Sequence, residues 1–248
     1  MAAGKVAVVT GGSRGIGRGI ALALAAEGAR VALTYRTREA DAEGVVDAIR
    51  ARGGDAVAVP MAVEDRASVR RAMDEVRRSL GAIAILVNNA AVAQEKPFAS
   101  ITDDDWDTVL GVNLRGPFAC VQEAVPDMLE RRWGRIVNLA SIGGQWGGVN
   151  QVHYAAAKAG LIGFTRSLAR LYGADGITAN CVAPGLVATE MSARELASAA
   201  GREKVRAIPA GRVGTIEETA AVVVFLAGEA ASYVTGQTVG VNGGMYFG

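Results

Sequence analysis

Tyr154 and Lys158 stand four residues apart in a long, Ala-rich stretch with almost no helix breakers, so a helix there carries both side chains on one face. A phenol of ordinary pKa, about 10, is a poor acid-base catalyst at neutral pH, and a neighbouring ammonium favours its phenolate form. A tyrosine tuned in this way can protonate a carbonyl oxygen while a hydride arrives at the carbon. Ser141, at the end of an expected strand, can hold the same oxygen and stabilise the charge developing on it. Alone, a Tyr-x-x-x-Lys pair reads as a helix-surface pair. It gains weight because the serine and a glycine-rich turn precede it on the right elements.

That turn is Thr10-Gly11-Gly12-Ser13-Arg14-Gly15-Ile16-Gly17, directly after the first apolar run and directly before a helical pattern. A glycine-rich turn lets backbone N–H groups approach a pyrophosphate, and a helix N-terminus adds favourable partial charge. Ordinary tight turns also use glycine, but here the turn lies at the start of a strand-helix-strand unit. The spacing differs from GxGxxG, since three residues separate Gly11 from Gly15. The second apolar run ends in Arg36, with Arg38 beyond it and Arg14 inside the turn. An NAD site usually places an acid at that point for the ribose 2′-hydroxyl. Planar guanidinium forks suit a 2′-phosphate instead, so the expected cofactor is NADP(H).

The elements that must position these groups alternate along the chain. Expected strands cover 5–10, 30–35, 55–60, 83–88, 135–141 and 178–184, apolar runs rich in Val and Ile as suits strands covered on both faces. Helical patterns cover 15–27, 39–52, 68–80 and 154–171, several stopping at glycine, and Thr102 with Asp105 forms a capping box before Trp106. The pattern predicts an α/β fold: a single-domain doubly wound parallel sheet over 1–248, a Rossmann fold with helices on both faces. At 248 residues, 50% hydrophobic and 21% charged, the chain can bury a large core and is neither disordered nor collagenous. Lys and Arg number 26 against 25 Asp and Glu, a net charge of +1, which speaks against nucleic acid and anionic membrane as partners. Cys120 and Cys181 allow a single disulfide but read rather as free thiols of a cytoplasmic protein, and one histidine, His153, builds no metal site.

The sequence resembles the short-chain dehydrogenase/reductase family over essentially its full length, and within it the 3-oxoacyl-(acyl-carrier-protein) reductases of fatty acid synthesis. The resemblance is carried by 10–17, Asn88-Asn89-Ala90, Asn113, Ser141, 154–160, Pro184-Gly185, Gly211-Arg212, and the C-terminal stretch from Thr235-Gly236-Gln237 to Asn242-Gly243-Gly244-Met245. It implies that Tyr154 is the general acid/base, that Lys158 lowers its pKa and binds the nicotinamide ribose, and that Ser141 orients the carbonyl. It further implies that Asn113 holds a water linking Lys158 to solvent. The cofactor would be held by Gly11, Ser13, Arg14, Gly15, Ile16, Gly17, Arg36, Val63 and Asn89, together with Tyr154 and Lys158. Val187 and Thr189 would meet the nicotinamide carboxamide. A homotetramer joined through two long helices and the C-terminal strand is also implied.

The chain departs from the family pattern at Ala91, where glycine is usual, and at Ala62, where an Asp or Asn often contacts adenine. Arg132 matches one basic contact for an acyl carrier protein, but Asp175 stands where the second basic residue is common. The remaining candidates are plainer. His153 points about 100° around the helix from Tyr154 and reads as a packing or pocket-lining residue. Trp146 can line a substrate pocket or pack between subunits, and Gln145 and Gln151 are possible substrate hydrogen-bonders. The run Asp103–Asp105 reads as a solvated helix start complementing the dipole. Residues 186–207, with Met191 and Leu196, read as a substrate lid. The expected activity is NADPH-dependent reduction of a 3-oxoacyl thioester to its 3-hydroxyacyl form. Reduction of another small or secondary-metabolite ketone is the alternative. A dinucleotide-sensing protein without catalysis is the alternative of a different class.

Overall fold

The structure, a computed structural model, describes residues 2–248; the side chains of Met191, Arg194 and Glu195 lie outside the description. Strands β1 (Val6–Val9), β2 (Arg30–Tyr35), β3 (Ala56–Pro60), β4 (Ile83–Asn88), β5 (Gly134–Leu139), β6 (Ile177–Pro184) and β7 (Thr238–Val241) form one sheet. All pairs are parallel, in the order β3-β2-β1-β4-β5-β6-β7. The crossovers are α1 (Gly15–Ala26), α2 (Glu39–Arg50), α3 (Arg66–Leu80), α4 (Asp103–Leu110) with α5 (Gly116–Arg131), and α6 (Gly143–Trp146) with α7 (Val152–Tyr172). Helices α8 (Glu190–Ala197), α9 (Ala199–Arg206) and α10 (Ile216–Ala227) lie between β6 and β7.

Successive strand side chains point to opposite faces, so β1 feeds both cores. Ala7 and Val9 pack with Ile20 and Leu24 of α1, Val46 of α2 and Val223 of α10. Val6 and Val8 pack with Met73 of α3, Met128 of α5 and Leu168 of α7. Two helical layers therefore cover the sheet, as the sequence predicts. The strand order reverses between β1 and β4, which opens a crevice beyond their carboxyl ends, where open α/β sheets bind ligands.

Two boundaries that differ from expectation bear on the site. β5 stops at Leu139, so Ser141 lies beyond the strand, on the turn into α6. There the chain leaves the ladder after Ala140, whose N–H donates to the Val182 carbonyl at 2.8 Å, and Ile142 N–H reaches Pro184 O at 3.0 Å. α7 begins two residues before the expected start, at Val152. Helices α5 and α10 and strand β7 add to the elements read from the pattern. Among the described residues no helix is long and apolar enough to cross a membrane, and no group of three potential ligands could hold a metal ion. Both cysteines are buried and free.

Candidate active site

The glycine turn closes over the crevice at the end of β1. Thr10 Oγ1 accepts the N–H groups of Asn89 and Ala90, each at 2.9 Å, and Asn89 Nδ2 donates to the carbonyls of Thr10 at 2.9 Å and Gly11 at 3.1 Å. Asn89 thus ties β4 to the turn. Gly17 packs so closely on this knot that a Cβ would lie 2.5 Å from Asn89 Nδ2 and clash with the Gly11 carbonyl. Gly15 has φ +53, a left-handed conformation that side chains disfavour. Helices α3, α4 and α10 are capped by the side chains of Asp65, Thr102 and Thr215. Helix α1 has no side-chain cap; its N-cap residue is Arg14. The first-turn N–H groups of α1 thus lack a side-chain acceptor, the arrangement that receives a phosphate. Ser13 and Ile16 flank that opening, both partly buried.

Each arginine expected at a 2′-phosphate has a carboxylate partner. Arg36 Nη2 lies 2.9 Å from Glu64 Oε1. Arg14 Nη1 donates to Glu190 Oε2 at 2.9 Å, and Arg38 Nη1 lies 3.5 Å from the same oxygen. Val63, beside Glu64, is buried against Gly116. Val187 is buried and forms a bridge with Gly214. Thr189 lies over the turn, so near that a Cβ on Gly15 would be 3.9 Å from its methyl group, while its hydroxyl meets Ser192 Oγ at 3.3 Å.

The reacting groups gather at the carboxyl end of β5. Ser141 lies beside the Tyr154 hydroxyl, close enough to lower the phenol's pKa. Ser141 Oγ also accepts the Gly143 N–H at 3.1 Å. Lys158, one turn along α7, is buried; its Nζ donates to the Leu139 carbonyl at 2.6 Å and lies 5.6 Å from the centroid of the Tyr154 ring. Burial lowers its pKa to about 8, because the interior penalises the ammonium. The expectation that Lys158 depresses the Tyr154 pKa does not hold in the free protein. Burial raises the Tyr154 pKa, Ser141 lowers it in part, and the ammonium is turned to a backbone carbonyl instead. The phenol therefore stays protonated at neutral pH, loaded to give a proton. Asn113 sits in a π-helical turn, Gly111–Arg115, fully buried. Its Nδ2 donates to Val92 O at 2.9 Å and Val109 O at 2.8 Å, which leaves Oδ1 buried without a partner. A buried orphan acceptor implies a bound water.

A glycine turn before an uncapped helix, a Ser-Tyr-Lys cluster and a buried asparagine acceptor make up one arrangement at the carboxyl end of the sheet. A family model described as "Enoyl-(Acyl carrier protein) reductase" matches residues 11–246. The 3-oxoacyl-(acyl-carrier-protein) reductase of Staphylococcus aureus (strain Mu50) is 43% identical over 242 residues, covering 98% of each chain. That of Pseudomonas aeruginosa is 44% identical over 243 residues, again covering 98% of each. The chain belongs to the short-chain dehydrogenase/reductase family. Among solved structures, a metagenomic blue fluorescent protein in complex with NADPH is 39% identical, with a TM-score of 0.93 and 99% of each chain covered. A putative gluconate dehydrogenase from Agrobacterium tumefaciens is 34% identical, with a TM-score of 0.95, covering 98% of this chain and 96% of its own.

Around this short-chain dehydrogenase/reductase centre the structure sorts the remaining candidates. His153 is buried, and its Nε2 lies 2.8 Å from Gln94 Oε1, so it packs against the loop after β4. Asp105 is more than a solvated helix start: only 15% of its side chain is exposed. It closes the capping box on Thr102, accepts Gln94 Nε2 at 2.7 Å and pairs with Lys96, and these donors hold its pKa far below the usual carboxylate range. Trp146 is half exposed and meets Tyr246 edge to face, 6.4 Å between centroids. Gln151 reaches Glu95 at 3.4 Å, and Gln145 Oε1 is buried without a partner.

Sequence reasoning missed a chain of buried polar groups behind Lys158. Asn88 Nδ2 donates to Asn138 Oδ1, Asn138 Nδ2 to Thr165 Oγ1, and Thr165 Oγ1 to the Leu161 carbonyl, at 2.7–2.8 Å each. Thr165 also meets Cys181 Sγ at 3.0 Å. The available signal was an asparagine at the end of β4 and another inside the apolar run of β5, since such groups are buried only with partners. It missed Glu190 as well, which no local pattern links to Arg14.

Proposed function

We propose that the chain is an NADPH-dependent reductase that transfers a hydride to the ketone of a 3-oxoacyl thioester and gives the 3-hydroxyacyl product. The observation that carries this reading is Tyr154 beside Ser141, one helical turn from the buried Lys158, whose ammonium bonds the end of β5. NADPH, when bound, supplies the hydride from its reduced nicotinamide. Gly11, Ser13, Gly15, Ile16 and Gly17 would bind its pyrophosphate, Arg14 and Arg36 its 2′-phosphate, and Val63 and Asn89 its adenosine half. Tyr154, Lys158, Val187 and Thr189 would hold the nicotinamide half. The Ser141 hydroxyl donates to the carbonyl oxygen, and the Tyr154 hydroxyl, protonated at neutral pH, delivers its proton there. Lys158 stabilises the phenolate left behind, and a water on Asn113 Oδ1 passes a replacement proton inward.

The likeness to curated 3-oxoacyl-(acyl-carrier-protein) reductases supports the thioester class, and the NADPH complex of the 39% identical structure supports the cofactor. NADPH consumption across acetoacetyl thioesters and unrelated ketones tests the reading. The fastest turnover is expected on the thioesters. Faster turnover of a sugar or secondary-metabolite ketone would give the chain another substrate with the same chemistry. NADPH binding with no turnover on any ketone would make it a sensor.

For the cofactor, Arg36→Asp is expected to weaken NADPH at least about tenfold and to improve NADH, because an acid repels the 2′-phosphate and accepts from the ribose hydroxyl. Titration of both nucleotides by intrinsic fluorescence checks this; an unchanged preference contradicts it. For the carrier, Arg132 Nη1 lies 3.7 Å from Asp175 Oδ1, so the one matching basic contact is already charge-paired. Acetoacetyl-carrier is therefore expected to show little advantage in KM over acetoacetyl-coenzyme A. Asp175→Arg should lower the carrier KM several-fold at low salt without changing that for coenzyme A. We further read 1–248 as one catalytic unit in the cytoplasm, with 186–207 as the lid. The assembly is a homotetramer, supported by the exposed apolar side chains Phe118 on α5 and Phe225 on α10.

A further inference from the structure

We infer that Glu190 is a carboxylate latch that competes with the 2′-phosphate of NADPH and so couples cofactor choice to the α8–α9 helix pair; the inference rests on the proposed cofactor site. Arg14 comes from the turn after β1 and Arg38 from the start of α2; Arg14 Nη1 donates to Glu190 Oε2 at 2.9 Å, and Arg38 Nη1, which donates to Asp41 Oδ2 at 3.2 Å, lies 3.5 Å from the same Glu190 oxygen. Two forks meeting at one point form an anion seat, and in this structure the anion is a side chain of the protein. Glu190 is the first residue of α8, so its charge also complements the helix dipole. The preceding residue, Thr189, rests over Gly15 and is tied through Ser192 Oγ to the Val187 carbonyl at 2.6 Å. The start of the helix pair is thereby pinned across the mouth of the glycine turn.

The pinning is weak by design of its surroundings. About half of the Arg14 and Arg38 side chains and 61% of the Glu190 side chain are exposed, and exposed ion pairs add little stability. A phosphate dianion brings more charge and more acceptor oxygens than a carboxylate, so it displaces Glu190 from both arginines. Displacement frees α8. NADH has only a hydroxyl at that position and leaves the latch in place. By linkage, whatever the latch takes from NADPH affinity is returned when the carboxylate is removed.

The test is the affinity of the whole protein for NADPH and NADH, with hydrogen exchange of residues 190–197. Glu190→Gln is expected to tighten NADPH about threefold, the size of one exposed pair, and to leave NADH unchanged. The amides of 190–197 in the free protein should exchange faster in this variant than in the wild type. Arg14→Gln separates the two readings, because it should weaken NADPH selectively whatever Glu190 does. If Arg14→Gln weakens NADPH but Glu190→Gln leaves it unchanged or weaker, the latch is wrong and the cofactor site stands. If Arg14→Gln has no effect on NADPH, the cofactor site falls and the latch with it.

Discussion

Tyr154→Phe is expected to lower kcat for ketone reduction by about a thousandfold while NADPH affinity stays within about twofold. The phenol is the one group of the centre that is both protonated at neutral pH and set beside Ser141, where the carbonyl oxygen must sit. Phenylalanine keeps the ring and its packing on α7 but carries no proton. No positioned acid is then left to neutralise the developing alkoxide. Because the lost interaction belongs to the transition state, kcat and kcat/KM should fall together, with KM nearly unchanged. Steady-state kinetics and a fluorescence titration of NADPH measure the two halves. A near-normal kcat would remove Tyr154 from the chemistry.

Lys158→Met is expected to abolish most turnover and, at neutral pH, to stabilise the fold by at most about 2 kcal/mol. The sign follows from its pKa. Burial lowers the folded value to about 8 from an ordinary 10.5, so the unfolded chain holds this proton more firmly. Between those two values the unfolded state binds more protons, and stability rises with pH; below about 8 the buried ammonium is a standing cost of roughly 3 kcal/mol. Methionine removes that cost but leaves the Leu139 carbonyl without its donor, a loss of about 1–3 kcal/mol that takes back part of the gain. Chemical denaturation at pH 7 and pH 10 reads both effects. The wild type should gain stability across that interval, and the variant should gain markedly less. The rate carries the same signature: reduction should fall as pH rises through about 8, where the charge that supports the phenolate is lost. Equal pH slopes for the two proteins would mean that Lys158 is not titrating there.

Strand and helix placement was largely legible because apolar periodicity and glycine stops are local signals. Six strands and the first three helices lie within a few residues of the expected bounds. Ser141, Tyr154 and Lys158 meet where their order along the chain suggested. The pKa relation was not legible, since it depends on which way an ammonium turns inside the fold: Lys158 bonds Leu139, 19 residues away in sequence. The second role of Asp105 and the place of Glu190 were hidden for the same reason. Their partners Gln94, Lys96, Arg14 and Arg38 come from other elements, and only packing brings them together. α5 contains Pro126 in its interior, a residue that ordinarily ends a helical pattern; the surrounding apolar face, with Val121, Val125 and Met128 buried, overrides it.

The most direct measurement follows the label. Wild-type protein is given NADPH deuterated at the transferring position of the nicotinamide, together with acetoacetyl-coenzyme A, and the product is examined by mass spectrometry and NMR. One deuterium on the carbinol carbon C3, with the hydroxyl proton drawn from solvent, is the predicted result. A product without deuterium, or no 3-hydroxybutyryl thioester at all, would contradict hydride transfer to the ketone at the Ser141–Tyr154–Lys158 centre.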